Sequence, residues 1–510
     1  MRNTFTYISL AAAIMVAACF AACEKVEVST GDEVPEEIVT PAITMSVNAT
    51  KVGETKALSD DGSAITSTWT QDDEVEVWTS DGTTKYGTIT AQNSGPSTRL
   101  SGTLGSTPSD GESLLLKYLS PNYSTQDGTL TGSATSIDKV CDYATATVTA
   151  TVAGGSVTTN DAAFTSQQAI LKLNLNDGSV DITSDVRQLI VTLGGQTVTV
   201  DRTPAAGPVY VAVPAASGSI VFYAAKGKYL YTKSVSKTLT AGHLYPVNLS
   251  MSIVEGALSG LFSVSASKKV YFSKGNLMAV FIGSSEPIYT PPTWKFADNQ
   301  WGCVGNAAAN NAITGNGTVS TAGAVDLFGW SSTNTTYGIH NSTDASDYRG
   351  DFRDWGTNAI NNGGNTNWST MSDTEWDYLK SHTTWGMATV AGVCGLIILP
   401  DNYSGTAITS GHGSGWSTNT IDEASWRDNY ESCGAVFLPA AGYRTGTTML
   451  YDPSSVHDYN KRGYYWSSRS YNNGGHYGGY FVLFDNTGFF SEYDSDGHVG
   501  KSVRLVRVAN

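Results

Sequence analysis

The sequence predicts a multidomain chain: an all-β region of sandwich architecture, long enough for two sandwiches in tandem, followed by an α+β domain. Three observations carry that prediction. From Ile43 to Met251, short runs rich in β-branched and aromatic residues recur between Gly, Asp, Asn and Ser without helical periodicity. After Glu255-Gly256 most of the Trp and Asn residues appear, together with two patterns that open helices. Between Tyr464 and His498, 25 of 35 residues are Tyr, Ser, Asn, Asp, Gly or His, and Lys, Ala, Pro and Gln are absent. Tyr offers stiff contact area at small entropic loss and the small polar residues adaptable hydrogen bonds, which is the composition of a recognition surface.

The bulk numbers bound the class. A chain of 510 residues has room for two to four domains. A formal charge of -16 leaves no basic stripe to displace counterions from phosphates, so nucleic acid is not an expected partner. Only 15% charged residues, with 53 Gly and 26 Tyr, suit a β-rich extracellular protein.

Residues 1–22 read as a secretory signal: Arg2, then an apolar run from about Tyr7 to Ala22 that is short for a bilayer span and ends in small residues. Its end resembles a bacterial lipobox twice over, at Val16-Ala17-Ala18-Cys19 and Phe20-Ala21-Ala22-Cys23. Cys23, followed by polar Glu24-Lys25, is the favoured lipidation site and Cys19 the alternative. A lipid there would anchor the chain to a membrane face, placing it at the outer membrane and cell surface. Residues 23–41 are acidic and bury almost nothing, as a tether does.

Strands are expected at Ile43–Ala49, Glu74–Thr79, Leu114–Ser120, Ala169–Asn176, Gln188–Leu193, Val209–Val213, Ile220–Ala224, Tyr229–Val235 and Leu244–Met251, with a join between the sandwiches somewhere from 150 to 164. Four motifs in order, Glu54-Thr55-Lys56-Ala57, Thr68-Trp69-Thr70-Gln71-Asp72-Asp73-Glu74-Val75-Glu76-Val77-Trp78, Tyr118-Leu119-Ser120-Pro121 and Lys237-Thr238-Leu239-Thr240-Ala241-Gly242-His243-Leu244-Tyr245, make residues 42–252 resemble the fimbrillin family of pilus subunits. The resemblance implies a lipoprotein precursor whose sandwich joins neighbouring subunits by donor-strand addition. One departure is that no Arg, the usual maturation site past the lipid, occurs between Arg2 and Arg99. That points away from a shaft subunit and towards a terminal or anchored position.

In residues 257–510, Phe262, Val264 and Ala266 alternate with Ser263, Ser265 and Ser267 as an opening strand. Ser372-Asp373-Thr374-Glu375 opens a helix through Trp376, Leu379 and Lys380, and Thr420-Ile421-Asp422-Glu423 one through Trp426 and Tyr430. Apolar strands follow at Leu396–Leu399 and Ala435–Leu438. At the end, Tyr465-Trp466-Ser467-Ser468, Phe481-Val482-Leu483-Phe484 and the alternating Ser502–Arg507 read as strands, with Arg504 and Arg507 on the polar face of the last. The tract is thus held on a sheet, a rigid frame carrying adaptable residues.

The segments Val325-Asp326-Leu327-Phe328-Gly329-Trp330, Glu375-Trp376-Asp377-Tyr378-Leu379, Gly434-Ala435-Val436-Phe437-Leu438-Pro439-Ala440-Ala441-Gly442-Tyr443-Arg444, Tyr465-Trp466-Ser467-Ser468 and Ser502-Val503-Arg504-Leu505-Val506 make this region resemble the C-type-lectin-like fold, in the branch related to formylglycine-generating enzymes. It is most similar to the variable proteins of diversity-generating retroelements, in which template adenines are mutagenised near the end of a lectin-like domain. That resemblance implies a test in the genetic code. Replacing adenines in an AAC or AAT codon yields Asn, Tyr, His, Asp, Ser, Gly, Arg, Phe, Val and a few others, but never Lys, Gln, Glu, Met or Trp. The tract at 464–499 obeys this nearly throughout, which makes Trp466 and Glu492 fixed frame positions. The expected diversified, ligand-facing positions are Tyr464, Tyr471, Asn472, Asn473, His476, Tyr477, Tyr480, Asp485, Phe490, Tyr493, Asp494, Ser495, Asp496 and His498, sharing one outward face. The ligand would be a protein or glycan on another cell, a host surface or a phage.

Catalytic chemistry finds little footing. Cys394 and Cys433 are the only pair comparable to the cysteines of formylglycine-generating enzymes, and their apolar neighbours suit buried thiols or a disulfide. Asp494-Ser495-Asp496-Gly497 lacks the remaining ligands of a calcium loop. No enzyme activity, cofactor or metal is expected.

Overall fold

The computed structural model describes residues 43–51, 59–60, 65–66, 68–119, 123, 126–282, 292–305, 310–364, 367–413, 415–449 and 459–509. The signal segment, Cys19, Cys23, the tether and the Glu54–Ala57 motif lie outside them. Among the described residues no helix is long and apolar enough to cross a membrane. Strands in several sheets dominate, and helices are few and short.

The first body consists of β1 (Ile43–Lys51), β2 (Glu74–Thr79), β3 (Lys85–Ala91), β4 (Ser97–Leu104), β5 (Ser113–Tyr118), β6 (Ala144–Ala153), β7 (Ser156–Thr159) and β8 (Ala162–Ser166). They pair in the order β8-β1-β4-β3-β2-β5-β6-β7. Because β8 also pairs with β6 and β1 with β7, the sheet closes on itself. The inward positions alternate along each strand; in β6 Ala144, Ala146, Val148 and Ala150 turn inward while Thr147, Thr149 and Thr151 face out. Trp69, Tyr118 and Phe164 fill the interior edge to face, with Trp69 5.5 Å from Tyr118 and 5.2 Å from Phe164.

The second body has β9 (Gln168–Asp177), β10 (Val186–Leu193), β11 (Gln196–Asp201), β12 (Val209–Pro214), β13 (Ala216–Lys226), β14 (Tyr229–Leu239) and β15 (Leu244–Ser263). One layer runs β11-β10-β13-β14-β15, and β9 joins β12 to the start of β15 in the other. Leu171, Leu173, Leu189, Val191, Val211 and Phe222 meet between the layers. The first core ends at Phe164 and the second begins at Ala169.

β15 is 20 residues long. Leu244–Met251 pairs with β9, and Ala257–Ser263 pairs with β16 (Lys269–Ser273). The composition change at Glu255-Gly256 therefore falls inside one strand, and the sheet is continuous across it. Gly256 and Gly260 let backbone approach backbone there. A Cβ on Gly260 would lie 2.0 Å from the Gly434 carbonyl oxygen, and one on Gly256, where φ is +76°, 2.6 Å from Gly363 Cα.

The third body adds β17 (Leu277–Phe281), α1 (Asp373–His382), β18 (Trp385–Val390), β19 (Val393–Ile398), α2 (Glu423–Asn429), β20 (Val436–Pro439), β21 (Arg462–Asn473), β22 (His476–Asp485), β23 (Gly488–Asp496) and β24 (Leu505–Val508). α1 starts with the expected reciprocal cap: Glu375 N–H donates to Ser372 Oγ at 3.1 Å, and Ser372 N–H to Glu375 Oε2 at 2.9 Å. α2 starts two residues later than the sequence pattern suggests. Asp422 caps it, accepting from Ser425 N–H at 2.9 Å, while Thr420–Ile421 pairs with β18 as a short strand. Ridding Thr420 of the capping role costs nothing, because Asp caps as well as Thr.

Cys394 and Cys433, for which buried thiols or a disulfide were both open, are free and half-buried thiols. β19 pairs with β20 from Gly395 opposite Pro439 to Ile398 opposite Val436, so Cys394 lies off one end of the ladder and Cys433 off the other. The three residue steps of that ladder, about 10 Å, already lie between them, whereas a disulfide needs Cα atoms within about 7 Å. The expected alternation of buried and exposed positions is absent from the end of the chain: Val503, Arg504, Leu505 and Val506 are all buried, and Arg507 and Val508, which complete β24, are half-buried. Arg504 is no polar-face residue but is enclosed, donating to Gln300 Oε1 at 3.1 Å and Asn276 Oδ1 at 3.4 Å, and burial lowers its guanidinium to about 10.

Candidate ligand-binding surface

The tract rich in Tyr and Asn folds as the antiparallel sheet β21-β22-β23. β21 and β22 are joined by Gly474-Gly475, with φ of +62° and +97°. Positive φ at both central residues is what a two-residue turn matching the strand twist requires, and glycine supplies it without steric cost. Asn473 lies opposite His476 and Asn472 opposite Tyr477, so the hairpin end is made of the tract's own polar residues.

The other end of the sheet is anchored on both faces. On one face Tyr465, Val482, Phe484 and Phe489 enter a core with Trp376 of α1 and Trp385 of β18. On the other, Tyr464, Trp466 and Phe481 pack with Phe328, Trp330 and Trp355. Two of the enclosed rings have fixed polar partners: Tyr465 O–H donates to Pro439 O at 2.9 Å and accepts from Asn276 Nδ2 at 3.0 Å. The Trp466 indole N–H donates to Phe328 O at 2.7 Å, which suits its expected frame role. The side chain of Glu492 is not among those described.

Strand alternation distributes the candidate residues over two faces, which corrects the expectation of one. Tyr471 opposes Gly478, and Gly478 opposes Asp496; Tyr480 opposes Asp494. Tyr471, Asn473, His476, Tyr480, Asp494 and Asp496 therefore share the face that α1 covers at its anchored end. Asn472, Tyr477, Tyr493 and Ser495 stand on the opposite face. The physical reason is the period of two: a contiguous tract on a strand cannot present neighbouring side chains to the same side.

The α1 face carries a connected set of contacts. His476 Nδ1 lies 3.1 Å from both carboxylate oxygens of Asp496. Tyr471 and Tyr480 meet edge to face with centroids 6.2 Å apart. The Arg469 guanidinium sits 4.1 Å over the Tyr480 ring and donates to Asp373 Oδ2 at 2.6 Å, tying the sheet to the first turn of α1. Arg469 was not among the expected residues, although it lies within the tract and Arg is reachable from an adenine-bearing codon. On the opposite face Tyr493 is 45% exposed and rests against Phe481 and Phe490, with centroids 5.8 and 6.5 Å away. Gly479 allows Trp330 to lie directly on this face, since a Cβ there would come within 2.0 Å of the indole.

Asn472, Asn473, His476, Tyr493 and Asp494 are exposed, and Tyr471, Tyr477, Tyr480, Phe490, Ser495, Asp496 and His498 are half-buried. Two expected positions do not face solvent. Tyr464 is buried against Tyr443 and Phe481 in the core. Asp485 is buried in an ion pair with Arg462 at 3.0 Å and accepts from Thr487 N–H at 2.9 Å. Both belong to the anchored end, which the codon argument cannot tell from the free end. His498 follows β23, and burial lowers its imidazole. Phe490 turns back towards His412, 5.7 Å away, instead of the hairpin end.

Beneath the surface lies Lys501, enclosed, with its Nζ 4.0 Å from the Trp466 ring and 4.5 Å from that of Phe481. Burial holds its ammonium well below the ordinary lysine value, and the carboxylate of Asp496 only partly offsets this. Burial pushes the Cys394 thiol up and that of Cys303 up to about 12, the opposite of an activated thiol.

No family model matches the chain, and no curated relative does. Among solved structures, a fimbrial protein from Bacteroides ovatus aligns at 10% identity over 92% of this chain and 99% of its own, with a TM-score of 0.24. A candidate cell adhesion protein from Bacteroides eggerthii aligns at 9% identity over 43% of this chain and 89% of its own, with a TM-score of 0.24. The minor pilin of Streptococcus agalactiae aligns at 9% identity over 42% and 97%, with a TM-score of 0.21. Superpositions this loose carry no functional inference, so the function has to be read from the chain's own residues.

Proposed function

We propose that the chain is a surface-displayed adhesin or receptor, in which the β-sandwich bodies carry a lectin-like head whose β21-β22-β23 sheet binds ligand through a diversified free end. The observation that supports this most directly is the division of the sheet. Trp466, Phe481 and Phe484 fix the backbone in two cores, while Tyr471, Asn472, Asn473, His476, Tyr477, Tyr480 and Asp494 lie nearer the hairpin, and Tyr493, level with Phe481, stays exposed. Rigid aromatics interleaved with short polar groups form a contact surface that loses little entropy on binding. The expected ligand is a protein or glycan on another cell, a host surface or a phage, and the expected location is the outer membrane through a lipid on Cys23 or Cys19, at a pilus tip or another surface assembly.

The experiment is to sequence the DNA around the gene and the same gene from sister isolates. A neighbouring reverse transcriptase and a near-copy of the segment encoding the tract, differing almost only at adenines, with variation between isolates concentrated at the free-end positions, is the expected result. Flanking DNA lacking both, with substitutions spread evenly along the domain, would remove diversification and leave a fixed structural cap that contacts only neighbouring subunits.

A further inference from the structure

We propose that the Lys51 and Asp142 side chains are joined by an intramolecular isopeptide bond, which staples the first strand of the N-terminal barrel to the approach of β6. Lys51 is the last residue of β1, and Asp142 lies two residues before β6. Lys51 Nζ is 3.8 Å from Asp142 Oδ2, and neither side chain has any exposed surface. The amine lies over two rings, 4.2 Å from Trp69 and 4.1 Å from Tyr118, and Phe164 stacks edge to face on Trp69.

The chemistry follows from this enclosure. Two opposite charges held away from water lose most of their hydration, and transferring one proton from the ammonium to the carboxylate turns them into an amine and a carboxylic acid, forms that burial favours. The amine lone pair then attacks Asp142 Cγ. A C–N bond forms, the C–OH bond breaks, and the departing hydroxyl leaves as water with one amine proton. No electrons are gained or lost and no co-reactant is needed. Near-attack geometry asks for Nζ and Cγ about 3–3.5 Å apart, and Nζ already stands 3.8 Å from an oxygen bonded to that carbon. The aromatic walls also keep water from reversing the reaction.

The position gives the bond a purpose. The barrel closes through a short seam: β1 pairs with β8 only from Ala49 to Lys51, and β8 with β6 only at Thr165 and Ser166. Lys51 sits opposite Phe164 in that seam. A covalent link there would close the barrel permanently at the point where the fewest hydrogen bonds hold it, as a body carrying load at a cell surface requires.

Peptide mapping of the purified full chain tests this. With the bond present, trypsin cannot cut after Lys51, and the segment Val26–Lys56 is recovered joined to Val140–Lys172, lighter than the two together by one water. Asp142→Asn keeps the same linked product, releasing ammonia in place of water, and Asp142→Ala abolishes it. Cleavage after Lys51 with a separate Val140–Lys172 peptide in the folded protein would overturn the proposal and leave an ion pair. A linked species that survives in Asp142→Ala would overturn it equally, by assigning the carboxyl to another residue.

Discussion

The two ends of the β21-β22-β23 sheet are the same three strands in opposite surroundings. At the anchored end every second residue on either face enters a core, and the polar atoms of Tyr465 and Trp466 have fixed partners. At the free end the hairpin Asn472–Tyr477 extends past both cores, and contacts are made mainly among the tract's own side chains. The difference teaches that tolerance to substitution is set here by position along the strand more than by residue type. Tyr464 and Tyr471 are both tyrosines of one strand, yet the first is packing and the second is surface. Exposed strand positions away from special features change stability by only about 0.5 kcal/mol on substitution, whereas emptying a core site costs several times more.

The comparison is sharpened most by Trp466→Ala. The substitution empties a site between Trp330 and Phe481, removes one of the two donors to the Phe328 carbonyl, leaving the Lys501 N–H at 2.8 Å, and takes a ring from Lys501. A loss of about 3–5 kcal/mol is expected, read as a lowered denaturant midpoint for the C-terminal region. A loss below about 1 kcal/mol would mean that the anchored end does not hold the sheet, and the distinction between the two ends would collapse.

How much of this the sequence could reveal depended on whether the cause was local. Ser372 and Glu375 sit three residues apart, so the cap of α1 was legible, as were the runs Glu74–Thr79 and Gln188–Leu193 that became strands. The Thr-rich strands Ala144–Ala153 and Ser156–Thr159 were not expected, because Ala and Thr alternate with too little hydrophobic contrast to stand out. The composition of the tract revealed a sheet-borne surface but not which of its residues were anchored, since Tyr464 and Asp485 are enclosed by residues distant in the chain or by the pairing with Arg462. Arg504 shows the same limit. Its partners Asn276 and Gln300 precede it by 228 and 204 positions, and no local pattern announces a buried cation.

Lys501 lies at the border between the two ends, and its replacement has an intermediate effect. Because its folded pKa is lowered well below the ordinary value, the unfolded chain binds an extra proton in the pH range between the two. Stability is fully present above the unfolded lysine pKa and falls as the pH drops from there towards the folded value. Lys501→Met removes this loss while keeping an unbranched chain between Trp466 and Phe481. The variant is expected to be about 1–2 kcal/mol more stable than the parent at neutral pH, with the gap closing as the pH is raised past about 10. Urea midpoints measured across that range decide it; a variant less stable at neutral pH would show that the ammonium's attraction to the rings outweighs its desolvation.

The smallest effect on stability is expected where the effect on recognition is largest. Tyr471→Ser, Tyr480→Ser and Tyr493→Ser together remove two rings towards the free end and the exposed ring that rests on Phe481, none of them a buried side chain; Tyr480→Ser also takes the ring from beneath Arg469, while the pairing of Arg469 with Asp373 can persist. Each change should cost no more than about 0.5 kcal/mol, so the unfolding midpoint of the triple variant stays close to that of the parent. Binding to cells or particles that the parent chain recognises should meanwhile fall at least about tenfold, because buried tyrosines commonly carry the largest single terms at an interface. Arg469→Ala provides the internal check, since it also unties the sheet from α1 and should lower the midpoint slightly more than any one of the tyrosine changes. If the triple variant instead unfolded several degrees early, the tyrosines would be supports of the fold, and the free end could not be rewritten without losing the domain that displays it.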